Sequence, residues 1–200
     1  MNSAGGATIA GCVADGRTFT GSAVATGDGT LTFYIPMYAG QGGLFDPVTL
    51  RDTTTTDLDG SFRWVKPSRP KDPVAPNAFD TTVPVSGSLY HAPSPKTTVI
   101  PVPDQQDNSQ LIFGDGNLTS QVVQPATLNT ANRVSVVQPI LSDLEVAINP
   151  TTGTFSGSFT HPVSRAVSRL DGVIFRKANA GYGYFLGTSA SGYTNFMPAQ

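Results

Sequence analysis

Two histidines, one glutamate and a scatter of aspartates are the side chains best suited to proton transfer in this sequence. His91 and His161 each follow a Gly-Ser pair, in Gly87-Ser88-Leu89-Tyr90-His91 and Gly157-Ser158-Phe159-Thr160-His161. A histidine oriented by an aspartate can serve as the base of a serine triad on a β-barrel. Residues i and i+3 of a strand point to opposite faces, so neither Ser88 nor Ser158 makes a local dyad with its histidine. No G-x-S-x-G elbow is present; Gly187-Thr188-Ser189-Ala190-Ser191-Gly192 misses that spacing by one residue. Glu145, Asp57 and Asp59 could pair as the two carboxylates of a glycoside hydrolase. Ser68-Arg69-Pro70-Lys71 has S-x-x-K spacing, but its prolines oppose the helix that this motif requires. The catalytic candidates are therefore His91, His161 and Glu145, in a hydrolase of ester or glycosidic bonds.

Two other chemistries are legible. Thr56-Asp57-Leu58-Asp59-Gly60-Ser61 and Gly114-Asp115-Gly116-Asn117 supply closely spaced hard oxygens, which suit calcium. The candidate ligands are Asp57, Asp59, Asp115 and Asn117; otherwise no cofactor is expected. Cys12 is the only cysteine, so thiolate metal clusters, redox pairs and internal disulfides are excluded. Trp64, Tyr38, Tyr90, Tyr182 and Tyr184 could form a platform on which sugar rings stack. Aromatics on strands also serve as core and cross-strand packing.

The elements that must position these residues are strands. Asp-Gly pairs at 15–16, 28–29, 59–60, 115–116 and 171–172 suit tight hairpin turns, whose central residues take positive φ. Sixteen prolines and twenty-one glycines punctuate the chain at short intervals. Glu145 is the only glutamate, while aspartate, a turn former, is plentiful. The spacing predicts an all-β fold of about 10–14 short strands, a closed β-barrel or a two-sheet β-sandwich. Strands are expected at Arg17–Ala25, Thr30–Pro36, Gly43–Arg51, Asp59–Val65 and Thr82–Tyr90. More are expected at Thr97–Val102, Gln110–Phe113, Asn117–Val123, Asn132–Val137, Glu145–Ile148, Thr154–Thr160, Arg169–Lys177, Tyr182–Gly187 and Gly192–Phe196. Proline-rich Lys66–Asp80 reads as a loop.

Residues 1–200 read as a single domain with a weak internal repeat. Thr18-Phe19-Thr20-Gly21-Ser22 matches Thr154-Phe155-Ser156-Gly157-Ser158, and Ala39-Gly40-Gln41-Gly42 matches Ala180-Gly181-Tyr182-Gly183. With the Asp-Gly pairs between them, these suggest related halves at 13–65 and 150–198, joined by 66–149.

Charged residues make up 13% of the chain and the net charge is −2, without a Lys/Arg cluster to neutralise a row of phosphates. That argues against nucleic-acid binding. No apolar run is long enough for a membrane span. The opening Met-Asn-Ser-Ala-Gly-Gly lacks the features of a signal peptide and suggests that the native chain continues upstream.

The stretches Asn149–Phe159, Asp171–Phe175, Gly183–Gly187 and Ser191–Tyr193, with Tyr34–Gly40 and Phe62–Pro67, resemble the C-terminal β-rich module of large secreted or surface proteins of environmental bacteria. The resemblance implies an extracellular or cell-surface location within a larger exported protein. It also implies a supporting or adhesive role and transfers no catalytic residue. The expected function is a non-catalytic accessory or adhesive domain binding polysaccharide or a surface partner, as a monomer or weak homo-oligomer. A hydrolase with an unfamiliar β-barrel site is the alternative.

Overall fold

A computed structural model describes residues 5–200 and is all-β, without an α-helix among those residues. The chain, read above as one domain, packs as two compact units that divide between Ser88 and Leu89. The segment 66–149, read as a joiner, contributes strands to both units.

In the first unit, β1 (Gly6–Cys12) and β2 (Thr18–Val24) form a hairpin. β3 (Thr30–Met37), β4 (Gly42–Leu50), β5 (Leu58–Lys66) and β6 (Phe79–Gly87) form an antiparallel meander. Alternation sets the faces: Leu31, Phe33, Ile35 and Met37 are buried on β3, while Thr32, Tyr34 and Pro36 face out. At the β2–β3 turn, Gly29 takes φ +81°. There the Asp28 carboxylate accepts bonds from the Thr26 hydroxyl and the Thr30 N–H.

The second unit is a nearly closed barrel. Its strands are β7 (Ser109–Asp115), β8 (Val122–Leu128), β9 (Val134–Ser135), β10 (Glu145–Asn149), β11 (Thr154–Thr160), β12 (Val167–Phe175), β13 (Ala180–Leu186) and β14 (Ser191–Pro198). They lie in the order β10-β11-β12-β13-β14-β7-β8-β9, all neighbours antiparallel. An Arg133–Ala147 bridge brings the two ends of that order together, which removes the free edges an open sheet would leave.

Phenylalanines fill the interior. Phe113, Phe155, Phe159, Phe185 and Phe196 are each at most 2% exposed, with Leu111 and Leu170 between them. Burying each such ring contributes about 1.5–3 kcal/mol. The rings fit because glycines lie beneath them. A Cβ on Gly172 would sit 2.2 Å from the Phe155 ring, and one on Gly192 would sit 2.2 Å from the Phe185 ring.

This packing explains a departure from the turn reading. Asp171-Gly172 lies within β12 and Asp59-Gly60 within β5, so neither is a hairpin tip. Gly172 makes room for Phe155, and Gly60 for the backbone of Pro47 and Val48.

Three strand expectations need correction. β1 was not expected. Residues 97–102 form no strand; Pro101 interrupts the run and the Val99 N–H goes to the Asn132 side chain instead of a ladder. Asn117–Val123 is largely a loop, and β8 begins only at its end, at Val122.

Each unit has a 3-10 turn between consecutive antiparallel strands, 38–40 between β3 and β4 and 176–178 between β12 and β13. The sequence matches do not share one register. The first turn closes on Met37–Gly42 and the second on Phe175–Ala180. Ala39-Gly40 lies inside its turn, whereas Ala180-Gly181 opens β13.

Gly172→Ala is expected to destabilise the second unit by about 1–3 kcal/mol, the usual cost of overpacking a filled core. Chemical denaturation measures it, and an unchanged midpoint would refute the account of ring over glycine.

Candidate functional site

His161 directly follows β11 and is buried, 1% exposed. Its Nε2–H donates to the Gly116 carbonyl at 2.9 Å, while Nδ1 accepts from the Val163 and Ser164 N–H groups at 3.2 and 3.4 Å. Two backbone donors facing Nδ1 assign the ring proton to Nε2. Both nitrogens therefore tie loops together. His91 is exposed on the loop leading into the second unit, and Glu145 is exposed at the start of β10. No hydrogen bond or ion pair among the described residues connects any two of the three.

The two candidate calcium loops fall one in each unit. Asp57 and Asp59 belong to the first unit, Asp115 and Asn117 to the second. Asp59 is paired with the Arg51 guanidinium at 2.6 Å. The Asn117 side-chain oxygen accepts from the Ser189 and Ala190 N–H groups, and its amide donates to the Ser189 hydroxyl. Among the described residues, no three His, Cys, Asp or Glu side chains gather as a metal cluster.

The aromatic candidates separate into buried and outward-facing groups. Trp64 and Tyr38 are 9% and 5% exposed, in the core of the first unit. Trp64 Nε1 donates to the Tyr38 hydroxyl at 2.9 Å, which donates to Asp15 Oδ2 at 2.9 Å. Burial raises the Tyr38 hydroxyl far above its usual range, an effect that the bond from Trp64 partly opposes. In the second unit, the half-buried Tyr90 lies over Gly153 and donates to the Pro150 carbonyl at 2.6 Å. Burial raises its hydroxyl too.

Around Tyr38 lies a charged cluster that sequence reading missed. The Lys66 ammonium is fully buried, 3.0 Å from Asp72 and 3.9 Å from the equally enclosed Asp15. Arg17 reaches Asp72 at 2.9 Å, and Arg69 comes within 3.5 Å of it. Lys66 and Arg17 also lie over the Tyr38 ring, 5.3 and 5.5 Å from its centre. Asp72 thereby anchors the proline-rich loop to the hairpin turn between β1 and β2. No sequence signal could reveal this, because the five charges come from two stretches far apart in the chain, 15–17 and 66–72.

Tyr182 and Tyr184 are different. They alternate along β13 onto the outer face of the barrel, where Tyr182 is 43% exposed. In register, Tyr182 lies between Val173 and Asn195, and Tyr184 between Asp171 and Tyr193. Phe175 meets Tyr182 edge to face, with ring centres 6.0 Å apart. The Tyr193 ring covers Gly114, and its hydroxyl accepts a bond from Gln121 at 2.8 Å. The result is a strip of rings flanked by amides and a carboxylate, on strands whose inner faces are locked by the core.

Comparison of the chain with protein-family models, curated proteins and solved structures gives no match. No helix among the described residues is long and apolar enough to cross a membrane.

Two outcomes follow from the charged cluster. Lys66→Met leaves Asp15 buried without its ammonium neighbour and is expected to cost about 3 kcal/mol, as when one member of a buried pair is removed; equilibrium unfolding checks this. Asp72 is held below its ordinary value of 3.8, chiefly by the hydrogen bond from Lys66. A depressed carboxyl stabilises the fold above its unfolded value and loses that contribution as acid protonates it. Melting temperature should therefore fall more steeply for the wild type than for Asp72→Asn as pH drops below about 3.8. Parallel curves would show that Asp72 anchors nothing.

Proposed function

We propose that this chain is a non-catalytic, carbohydrate-binding accessory domain of an exported bacterial protein, and that the outer face of β12–β14 is its contact surface. The observation that carries the reading is the strip formed by Phe175, Tyr182, Tyr184 and Tyr193 on that face. Sugars present flat apolar CH faces to such rings, and their hydroxyls bond to neighbouring amides and carboxylates. Asn195 and Asp171 flank the tyrosines in register. The barrel interior is filled by phenylalanines, which leaves recognition to the outside.

Low charge density and the resemblance to modules of secreted and surface proteins support export and an adhesive role. The alternative, a hydrolase, has less support: both ring nitrogens of His161 are engaged with backbone, and His91 and Glu145 are exposed on separate segments.

Affinity electrophoresis of the purified chain in gels containing neutral polysaccharides tests the reading. Retardation by at least one polysaccharide is expected. Tyr182→Ala should weaken it roughly fivefold, the equivalent of about 1 kcal/mol for one stacked ring, while leaving the melting temperature in place. Free migration in every gel would overturn the carbohydrate reading. Retardation that Tyr182→Ala does not alter would overturn the assignment of this face.

A further inference from the structure

The segment between Tyr90 and Asn108 enters the second unit without forming a strand and buries Val99 and Ile100 completely. Its path is fixed by side chains of the barrel. Asn132 accepts the Val99 N–H at 2.6 Å and donates to the Thr97 carbonyl at 3.0 Å. Arg176, next to Phe175 in the chain, donates to the Val99 carbonyl at 3.2 Å.

This pinned segment and the barrel enclose an open pocket of about 530 Å³. That lies within the range of small-ligand sites, roughly 300–1,000 Å³. Its lining is unlike that of the core: hydroxyls from Ser94, Thr97, Thr98 and Thr130, and walls that include Pro93 and Pro101. Three charged side chains also line it, namely Lys96, Arg176 and Asp104. Two cations against one carboxylate leave a positive excess. Neither the Lys96 nor the Asp104 side chain has a hydrogen bond or ion pair among the described residues, and the Arg176 guanidinium bonds to the Val99 carbonyl.

A chain with few charged residues thus places two cations and several hydroxyls around one rigid hollow. Lys96 does so from a left-handed backbone conformation, φ 65°. A guanidinium and an ammonium lining one hollow suit a carboxylate, and hydroxyls with a spare carboxylate suit ring hydroxyls.

We propose that this pocket binds an acidic sugar unit of a polysaccharide, with Lys96 and Arg176 meeting its carboxylate and Asp104 and the threonines meeting its hydroxyls. The inference rests on the carbohydrate reading above and names the class of sugar.

Isothermal titration of the full chain with a short oligogalacturonate tests it, with the methyl-esterified oligosaccharide as the neutral control. The acid form is expected to bind at least ~10-fold more tightly than the ester. Lys96→Gln should remove most of that preference; Lys96 is exposed and has no partner whose loss would disturb the fold. Arg176→Gln should do the same, with its melting temperature recorded because Arg176 also holds Val99. Equal binding of acid and ester, or an acid preference that survives Lys96→Gln, would overturn the pocket while leaving the carbohydrate reading intact. Displacement of the oligogalacturonate by inorganic phosphate at matched ionic strength would mark a general anion site and also overturn it. Binding of neither form, by a chain that neutral polysaccharides also fail to retard, would remove both proposals together.

Discussion

The contact between phenylalanine rings and bare glycine backbone governs the second unit. Eight strands enclose only enough room for side chains to fill the interior. Five phenylalanines occupy that room, and they fit because residues such as Gly172, Gly181 and Gly192 present no Cβ beneath them. Phe155 lies against Gly172 and Gly181 at once, so one ring fixes the spacing of β11, β12 and β13. The spacing of the strands around the nearly closed barrel follows from this arrangement. A barrel so filled has no internal cup, and any recognition must take place on its outside or at its loops.

The first unit has a different solution. Its apolar face is covered by Phe33, Ile35 and Trp64, but one side of the core is polar. Lys66 and Asp15 are buried there with the Tyr38 hydroxyl, and Asp72 closes the cluster from the proline-rich loop. Buried charges are costly unless each is paired and hydrogen-bonded. Here each has partners from another segment, so the cluster ties a loop with little apolar surface to a hairpin turn. Side chains that look reactive in a list of residues are consumed in holding the fold. His161 and Asn117 repeat the pattern in the second unit, where they pin neighbouring loops through backbone groups.

What remains outward is informative for the same reason. Tyr182 stands outward on β13 while Phe185 of the same strand faces the core, so the Tyr182 ring is not needed to fill it. Lys96 and Asp104 lie on a segment held by Asn132 and Arg176, and among the described residues no ion pair stabilises either of them. Exposed rings and unpaired charges on rigid elements are the features that a binding role requires and a purely structural role does not.

Much of the fold was legible. Turn residues, β-branched runs and the scarcity of glutamate pointed to an all-β chain, because these choices act locally on the backbone. Most strands could be placed for that reason. Alternation along β3 and β13 also settled which side chains share a face. The sequence could not say which face is inward, since Trp64 and Tyr182 stand in similar local patterns with opposite burial. Nor could it tell a glycine in a turn from one under a ring; Gly29 and Gly172 both follow an aspartate. The charged cluster and the pocket were invisible because their members are joined by strand order rather than by spacing. Composition and local pattern determined the type of structure and the turn chemistry. Only the tertiary packing decided which reactive side chains became structural, and which rings and charges stayed available, because burial and partner choice depend on contacts between distant segments.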